Sequence, residues 1–319
     1  MRFTLPIRAA LTAALLCCAG AWAADPYPSK PLRVIIPFPA GGPTDVVGRL
    51  LAQKLAEQVG QSVVIENRAG GNGTIGPMEL TRSAPDGYTL MFTASTFTTT
   101  SMVSKDVTYD VAKDFTPIAL VAKGPLAVGV TNGMPAKNIA ELLAHAKTKQ
   151  LSFAVGSIGS AGHLATEEIK RSGSLDFLIV PYKGSTPAYQ DLIGGQIDGF
   201  VDPLLGALPY HKGNRIRVLA VTSKERLAAL PDVPTVGETI KGFEFYTWYG
   251  LWGPPNMPKE LSARLNAEVN KALSSPLGDK LLGQGYLLSP GTPEDFARFQ
   301  SEDMARSKTI ITAAKIRME

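Results

Sequence analysis

Four stretches of the chain concentrate glycine with serine or threonine where an apolar run gives way to a helical pattern. The first is Phe38-Pro39-Ala40-Gly41-Gly42-Pro43-Thr44-Asp45, and the second is Gly156-Ser157-Ile158-Gly159-Ser160-Ala161-Gly162-His163. Thr93–Ser101 and Lys183-Gly184-Ser185-Thr186-Pro187 are the third and fourth. Glycine lets a backbone turn sharply and approach a ligand closely. The helix that follows offers unpaired N–H groups and partial positive charge, which together form an anion site. One helix end contributes about 0.3–1 kcal/mol, whereas micromolar binding needs about 8 kcal/mol, so several donors must act together. The chemistry suggested is capture of a small acid. Candidate contacts are Phe38, Gly41, Gly42, Asp45, Ser95, Thr96, Ser157, Ser160, His163, Thr186 and Asp202. Phe38 and Trp248 are expected as apolar walls, which favours an aromatic or longer-chain acid.

Arrangements that would support catalysis are weaker. Asp45 and Asp202 could pair as general acid and base. The expected roles are more local: Asp45 complements a helix dipole, Asp202 organises its own loop, and either orders a water beside the ligand. Gly71-Asn72-Gly73-Thr74-Ile75-Gly76 has dinucleotide-loop spacing, but Asn67–Gly70 separate it from the preceding strand and no acid stands near Thr96. Neither G-x-S-x-G nor S-x-x-K occurs. His145, His163 and His211 are too far apart for a local metal pair. His163 falls in a first helical turn, where it could touch an anion, although packing or capping is the commoner role. No cofactor, metal or enzymatic activity is expected. An exported hydrolase using Asp45, Asp202 or His163 is the rival from another class.

The loops need a scaffold, and the hydrophobic pattern supplies one. Leu32–Pro37, Ser62–Glu66 and Tyr88–Thr93 read as strands, with helices Thr44–Val59 and Thr74–Ser83 between them. This βαβαβ alternation predicts a parallel sheet covered by helices. Strands Ile118–Val121 and Leu126–Thr131 flank Lys123-Gly124-Pro125, and Asn138 caps a helix reaching about Lys149. The pattern then repeats with strands Leu151–Val155, Phe177–Tyr182 and Ile197–Asp202 around helices Gly162–Arg171 and Pro187–Ile193. A further strand is expected at Arg217–Thr222, and amphipathic helices at Lys259–Ser274 and Pro293–Ala305. The fold class is α/β, with two units joined near Lys123–Pro125 and Phe243–Trp248.

Composition agrees with that scaffold and narrows the function. At 319 residues the chain exceeds what one compact core usually serves. A formal charge of +4, from 32 basic and 28 acidic residues without a basic run, gives no reason to expect nucleic-acid binding. Arg2 and Arg8, the apolar run Ala9–Ala19 and Ala21-Trp22-Ala23 read as a secretory leader cleaved after Ala23. The run is too short for an ordinary membrane span. The leader carries both cysteines, Cys17 and Cys18, so the exported chain would rely on its core rather than on disulfides. Export also places the protein away from ATP and nicotinamide cofactors.

Several segments taken jointly resemble the Bug or TctC-like extracytoplasmic solute receptors. They are Pro37–Asp45 with Arg49, Glu66–Gly71, Pro85–Leu90, Tyr109-Asp110 and Lys113–Pro117. Gly156–Leu164, Pro181–Gly184, Gly194–Asp198 and Trp248–Gly250 complete a resemblance that runs in order through residues 27–305. It implies a periplasmic-binding-protein fold of the second type, with two α/β domains joined by hinge strands. The implied division is 24–123 with 246–319 as one domain and 124–245 as the other. It also implies a monomer in the periplasm that holds a small-molecule carboxylate through main-chain N–H groups, hydroxyls and bridging waters. The implied partners are membrane subunits of a tripartite tricarboxylate-type transporter, with ligand sensing for a two-component system as the alternative. Two stretches depart from the common pattern: Thr93–Ser101 is rich in threonine, and Pro203 follows Asp202 where a small or amide residue is commoner.

Overall fold

The computed structural model describes residues 27–318. The leader, its cleavage site and both cysteines lie outside them. The chain begins with β1 (Leu32–Ile36), α1 (Pro43–Val59), β2 (Val63–Asn67), α2 (Ile75–Leu80), β3 (Thr89–Ala94) and α3 (Thr96–Val103). β1 lies between β2 and β3, parallel to both. The second unit has β5 (Ser152–Val155), α5 (Ala161–Gly173), β6 (Leu178–Pro181), α6 (Ser185–Ile193), β7 (Gly199–Pro203) and α7 (Leu204–Lys212). Here β5 lies between β6 and β7, again parallel to both. Each unit therefore places its first strand in the middle, and the loop leaving that strand opens at a topological switch point. Ligands of open α/β sheets bind at such points, beyond the carboxyl ends of the strands.

Two long antiparallel strands join the units. β4 (Thr116–Val130) pairs with β9 (Tyr246–Gly253) over Thr116–Pro125, and with β7 and β8 (Arg217–Val221) beyond it. The two strands expected around Lys123-Gly124-Pro125 are thus one. Pro125 falls where β4 exchanges partners, and a missing N–H costs least at such an irregular place. Gly124 lets the Tyr286 ring lie against the strand, where a Cβ would stand 2.6 Å from that ring.

α4 (Ile139–Ala146) is capped by Asn138 as expected. α8 (Lys259–Leu273), α9 (Pro276–Gly283), β10 (Leu287–Leu288) and α10 (Pro293–Ala313) complete the chain. α10 runs well past the expected Ala305 and touches both units. Its first half packs Phe296 on Trp248 and Trp252, and its last turn sends Ile311 into the cluster of Leu126, Phe153 and Leu164. The first unit has its own core of Leu32, Val34, Ile36, Leu51, Leu55 and Val269. Apolar burial of this kind contributes about 1.5–3 kcal/mol per large side chain.

Thr93–Ser101 is not a loop throughout: α3 begins at Thr96. β-branched residues are poor helix formers, and the apolar spacing of a helix is missing here. The threonines nonetheless satisfy their buried hydroxyls on the helix itself, Thr98 on the Ser95 carbonyl and Thr100 on the Thr96 carbonyl.

Candidate ligand-binding site

The N-termini of α1, α3, α5 and α6 converge on one cavity between the two units. α1 starts behind Gly42, α3 behind Ser95 and α6 behind Gly184, and none of these positions supplies a side-chain cap. Away from the cavity α4, α9 and α10 close their first turns with Asn138, Ser275 and Thr292, although α2 and α8 start uncapped there as well. First-turn N–H groups at the cavity are therefore left for something else to accept from them. α5 is the capped member, with the Ser160 hydroxyl accepting the His163 N–H at 3.2 Å. Among the described residues, no lysine, arginine or histidine lines the cavity.

Phe38, Gly42, Thr96, Ser157, Ser160, Thr186 and Asp202 are brought together on the cavity wall. Gly41, Asp45, Ser95 and His163 stand outside it, each held by a local task. Asp45 Oδ2 accepts the Gly41 N–H at 2.9 Å and Arg49 Nε at 2.8 Å, while Oδ1 accepts Asn67 Nδ2 at 2.9 Å. Gly41 takes φ +78°, a conformation that favours glycine, and the Asp45 bond holds its loop in place. Burial opposes ionisation of Asp45, but the bonds from Arg49, Gly41 and Asn67 outweigh it and hold the pKa below the ordinary value. Asp45 and Asp202 consequently form no acid–base pair. Asp45→Asn is expected to cost about 1–2 kcal/mol of stability, because the charge-assisted acceptor is lost. Urea unfolding measures this, and an unchanged midpoint would show that the loop holds itself.

His163 is a packed histidine. Its Nδ1 accepts the Gly159 N–H at 3.1 Å, which closes the second glycine loop on its own helix. Burial, with a smaller contribution from Lys170, lowers its pKa to about 4. In the unfolded chain the ring titrates near 6.5, so the unfolded state binds a proton that the native state refuses until about pH 4. This contribution is complete above about pH 6.5 and is lost as pH falls toward 4. Wild type should lose more stability than His163→Asn across that window. Urea midpoints measured at both ends test it, and parallel curves would refute the assignment.

Trp248 is on the opposite side of the sheet from its expected place. Successive residues of a strand face opposite ways, so Thr247 reaches the cavity while Trp248 turns into the core beneath α10. Its Nε1 donates to Asp303 Oδ2 at 2.8 Å. Of the two expected apolar walls only Phe38 remains. Thr247 and Ser185 were both passed over in the sequence. Thr247 arrives through antiparallel pairing that leaves no local signal, whereas Ser185 is the first helical residue after Gly184 and could have been chosen beside Thr186.

The glycine loops also meet across the cleft. Asn72 Nδ2 donates to the Ile158 carbonyl at 2.9 Å, and its Oδ1 accepts the Ile158 N–H at 2.9 Å. Beside this pair the Thr99 hydroxyl donates to the Gly159 carbonyl at 2.7 Å. Asn72 thus makes Gly71–Gly76 a contact between the units, while Gly71 and Gly73 turn the chain at φ +56° and +86° and Gly76 packs closely on Ile35.

Residues 47–316 match the family model described as the tripartite tricarboxylate transporter family receptor. The chain belongs to this receptor family. The family is one of receptors, and structural neighbours at 31–33% identity include a periplasmic transporter and the periplasmic binding protein BugD. A protein of Pseudomonas sp. strain P51, named for the tcbD–tcbE intergenic region, is 35% identical over 293 residues, 90% of this chain and 87% of its own. The R. palustris protein Rpa4515, solved with adipate, superposes with a TM-score of 0.88 at 33% identity, covering 91% of this TctC receptor and 99% of that chain. MatC from Rhodopseudomonas palustris, solved with bound malate, gives 0.82 at 30% identity, covering 89% and 100%.

Proposed function

We propose that this receptor captures a small organic acid by its carboxylate in the cavity and delivers it to the membrane subunits of a tripartite tricarboxylate-type transporter. The observation that carries the reading is the convergence of uncapped helix N-termini on a cavity without a basic side chain. Such a wall favours an anion through aligned backbone dipoles and unpaired donors. The hydroxyls of Thr96, Ser160, Thr186 and Thr247 supply further donors, whereas Ser157 and Ser185 already donate to the Gly156 carbonyl and to Asp202. Adipate and malate in two structural neighbours support carboxylates as the ligand class.

Thermal unfolding against a panel of organic acids tests the binding claim. An acid that binds should raise the melting temperature with concentration, reaching about 2.7 kcal/mol of added stability at a hundredfold excess over Kd. If no acid does so, the carboxylate reading fails. Uptake of the selected acid by cells with and without the receptor tests delivery, and undiminished uptake would leave a sensory role.

A further inference from the structure

Asp202 is the one acidic side chain on the cavity wall among the described residues, and it is only 5% exposed. Its Oδ1 accepts the Ser185 hydroxyl at 2.9 Å, whereas Oδ2 is buried without a well-formed hydrogen bond, the Tyr189 hydroxyl being the nearby phenol that weakly favours its charge. The titratable groups packed around this carboxyl are all phenols: Tyr189 on α6, Tyr249 on β9, and Tyr286 just before β10, with Tyr210 of α7 behind Tyr189. Burial raises the pKa of Tyr189, Tyr249 and Tyr286, so these three stay neutral. None of these groups carries a positive charge that would pair with an ionised Asp202.

A bound carboxylate would therefore enter beside a second carboxylate. Two such groups in one desolvated site do not both stay ionised, because each disfavours the charged form of the other. We propose that Asp202 meets the ligand as a neutral acid, with Oδ2–H donating to a carboxylate oxygen of the ligand. When Asp202 starts ionised, capture takes one proton from solvent onto Oδ2, while Oδ1 continues to accept from Ser185. No bond other than that O–H is made, and the ligand remains an anion. Burial, opposed by hydrogen bonding from Ser185 and Tyr189, raises the Asp202 pKa to about 7, so the proton is cheap near neutrality.

The inference rests on the carboxylate reading above, and titration calorimetry separates the two. Succinate, malate and adipate are titrated into the full exported chain at pH about 5.5 and about 8, each in two buffers of different ionisation heat. At the alkaline pH binding should take up close to one proton, and Kd should rise about tenfold per pH unit above neutrality. At the acid pH, where Asp202 already holds its proton, uptake by Asp202 should vanish, and any proton exchange left there belongs to the ligand's own second carboxyl and should be the same in Asp202→Asn. Asp202→Asn carries a permanent amide donor, so it should bind about tenfold more tightly than wild type near pH 8 and show no proton uptake. Binding without proton uptake in wild type at the alkaline pH would overturn the proposal and leave the carboxylate reading standing. Weaker binding by a folded Asp202→Asn at that pH would overturn it as well. No heat with any of the three acids at either pH would refute both.

Discussion

Gly162→Ala is expected to destabilise the receptor by about 3 kcal/mol and to impair the cavity with it. Gly162 is the second residue of α5, and the helix there lies directly on β7. A Cβ at this position would stand 2.0 Å from the Val201 carbonyl oxygen and 3.1 Å from its carbon. Both atoms are backbone, so no rotamer change relieves the overlap, and either α5 or β7 must retreat. Gly162 and Asp202, the residue after Val201, both line the cavity. The shift would therefore spread the site that the close packing assembles. Urea unfolding and acid-induced thermal shifts on the same variant measure the two effects. A wild-type midpoint would show that α5 does not approach β7 this closely.

Asn72→Ala should weaken ligand binding about thirtyfold with a small effect on unfolding. The Asn72 amide makes two hydrogen bonds to the backbone of Ile158 across the cleft. Each is worth about 1 kcal/mol, and 1.4 kcal/mol is a factor of ten in affinity. These bonds exist only while the units are together, so their loss acts on closure rather than on either core. Asn72 also holds φ +55°, a conformation that asparagine tolerates better than most residues. Asn72→Asp sharpens the test: it keeps the Ile158 N–H bond and loses the other, so its loss of affinity should be intermediate. Equal affinities for all three proteins would show that the contact plays no part in capture.

Much of the cavity wall was legible because its signals are local. A strand, a glycine turn and a helix N-terminus follow one another within about ten residues, and both central strands carry that sequence. The positions that misled are those where neighbouring residues share a composition but face different ways. Gly41 and Gly42 differ in this manner, and only Gly42 reaches the cavity. Ser95 lies next to Thr96 and points its hydroxyl at Thr247, 3.4 Å away. Asp45 had the right loop and the wrong partner, because Arg49 one turn later and Asn67 from the next strand claim its carboxylate.

By itself the sequence determined the α/β alternation, the four loops and the kind of ligand chemistry they offer. Each follows from dihedral preference, apolar period and the unpaired N–H groups at a helix start, which are properties of a few consecutive residues. Only the tertiary structure decided which donors share a cavity, which face of β9 presents Thr247 rather than Trp248, and which carboxylate remains unpaired. Those outcomes depend on strand register and on contacts between residues far apart in the chain. A one-residue change of register exchanges the two faces of a strand. Asp202 shows the consequence most clearly: an acid in a loop is ordinary, but an acid buried among phenols at the mouth of four helices has lost water and gained no cation.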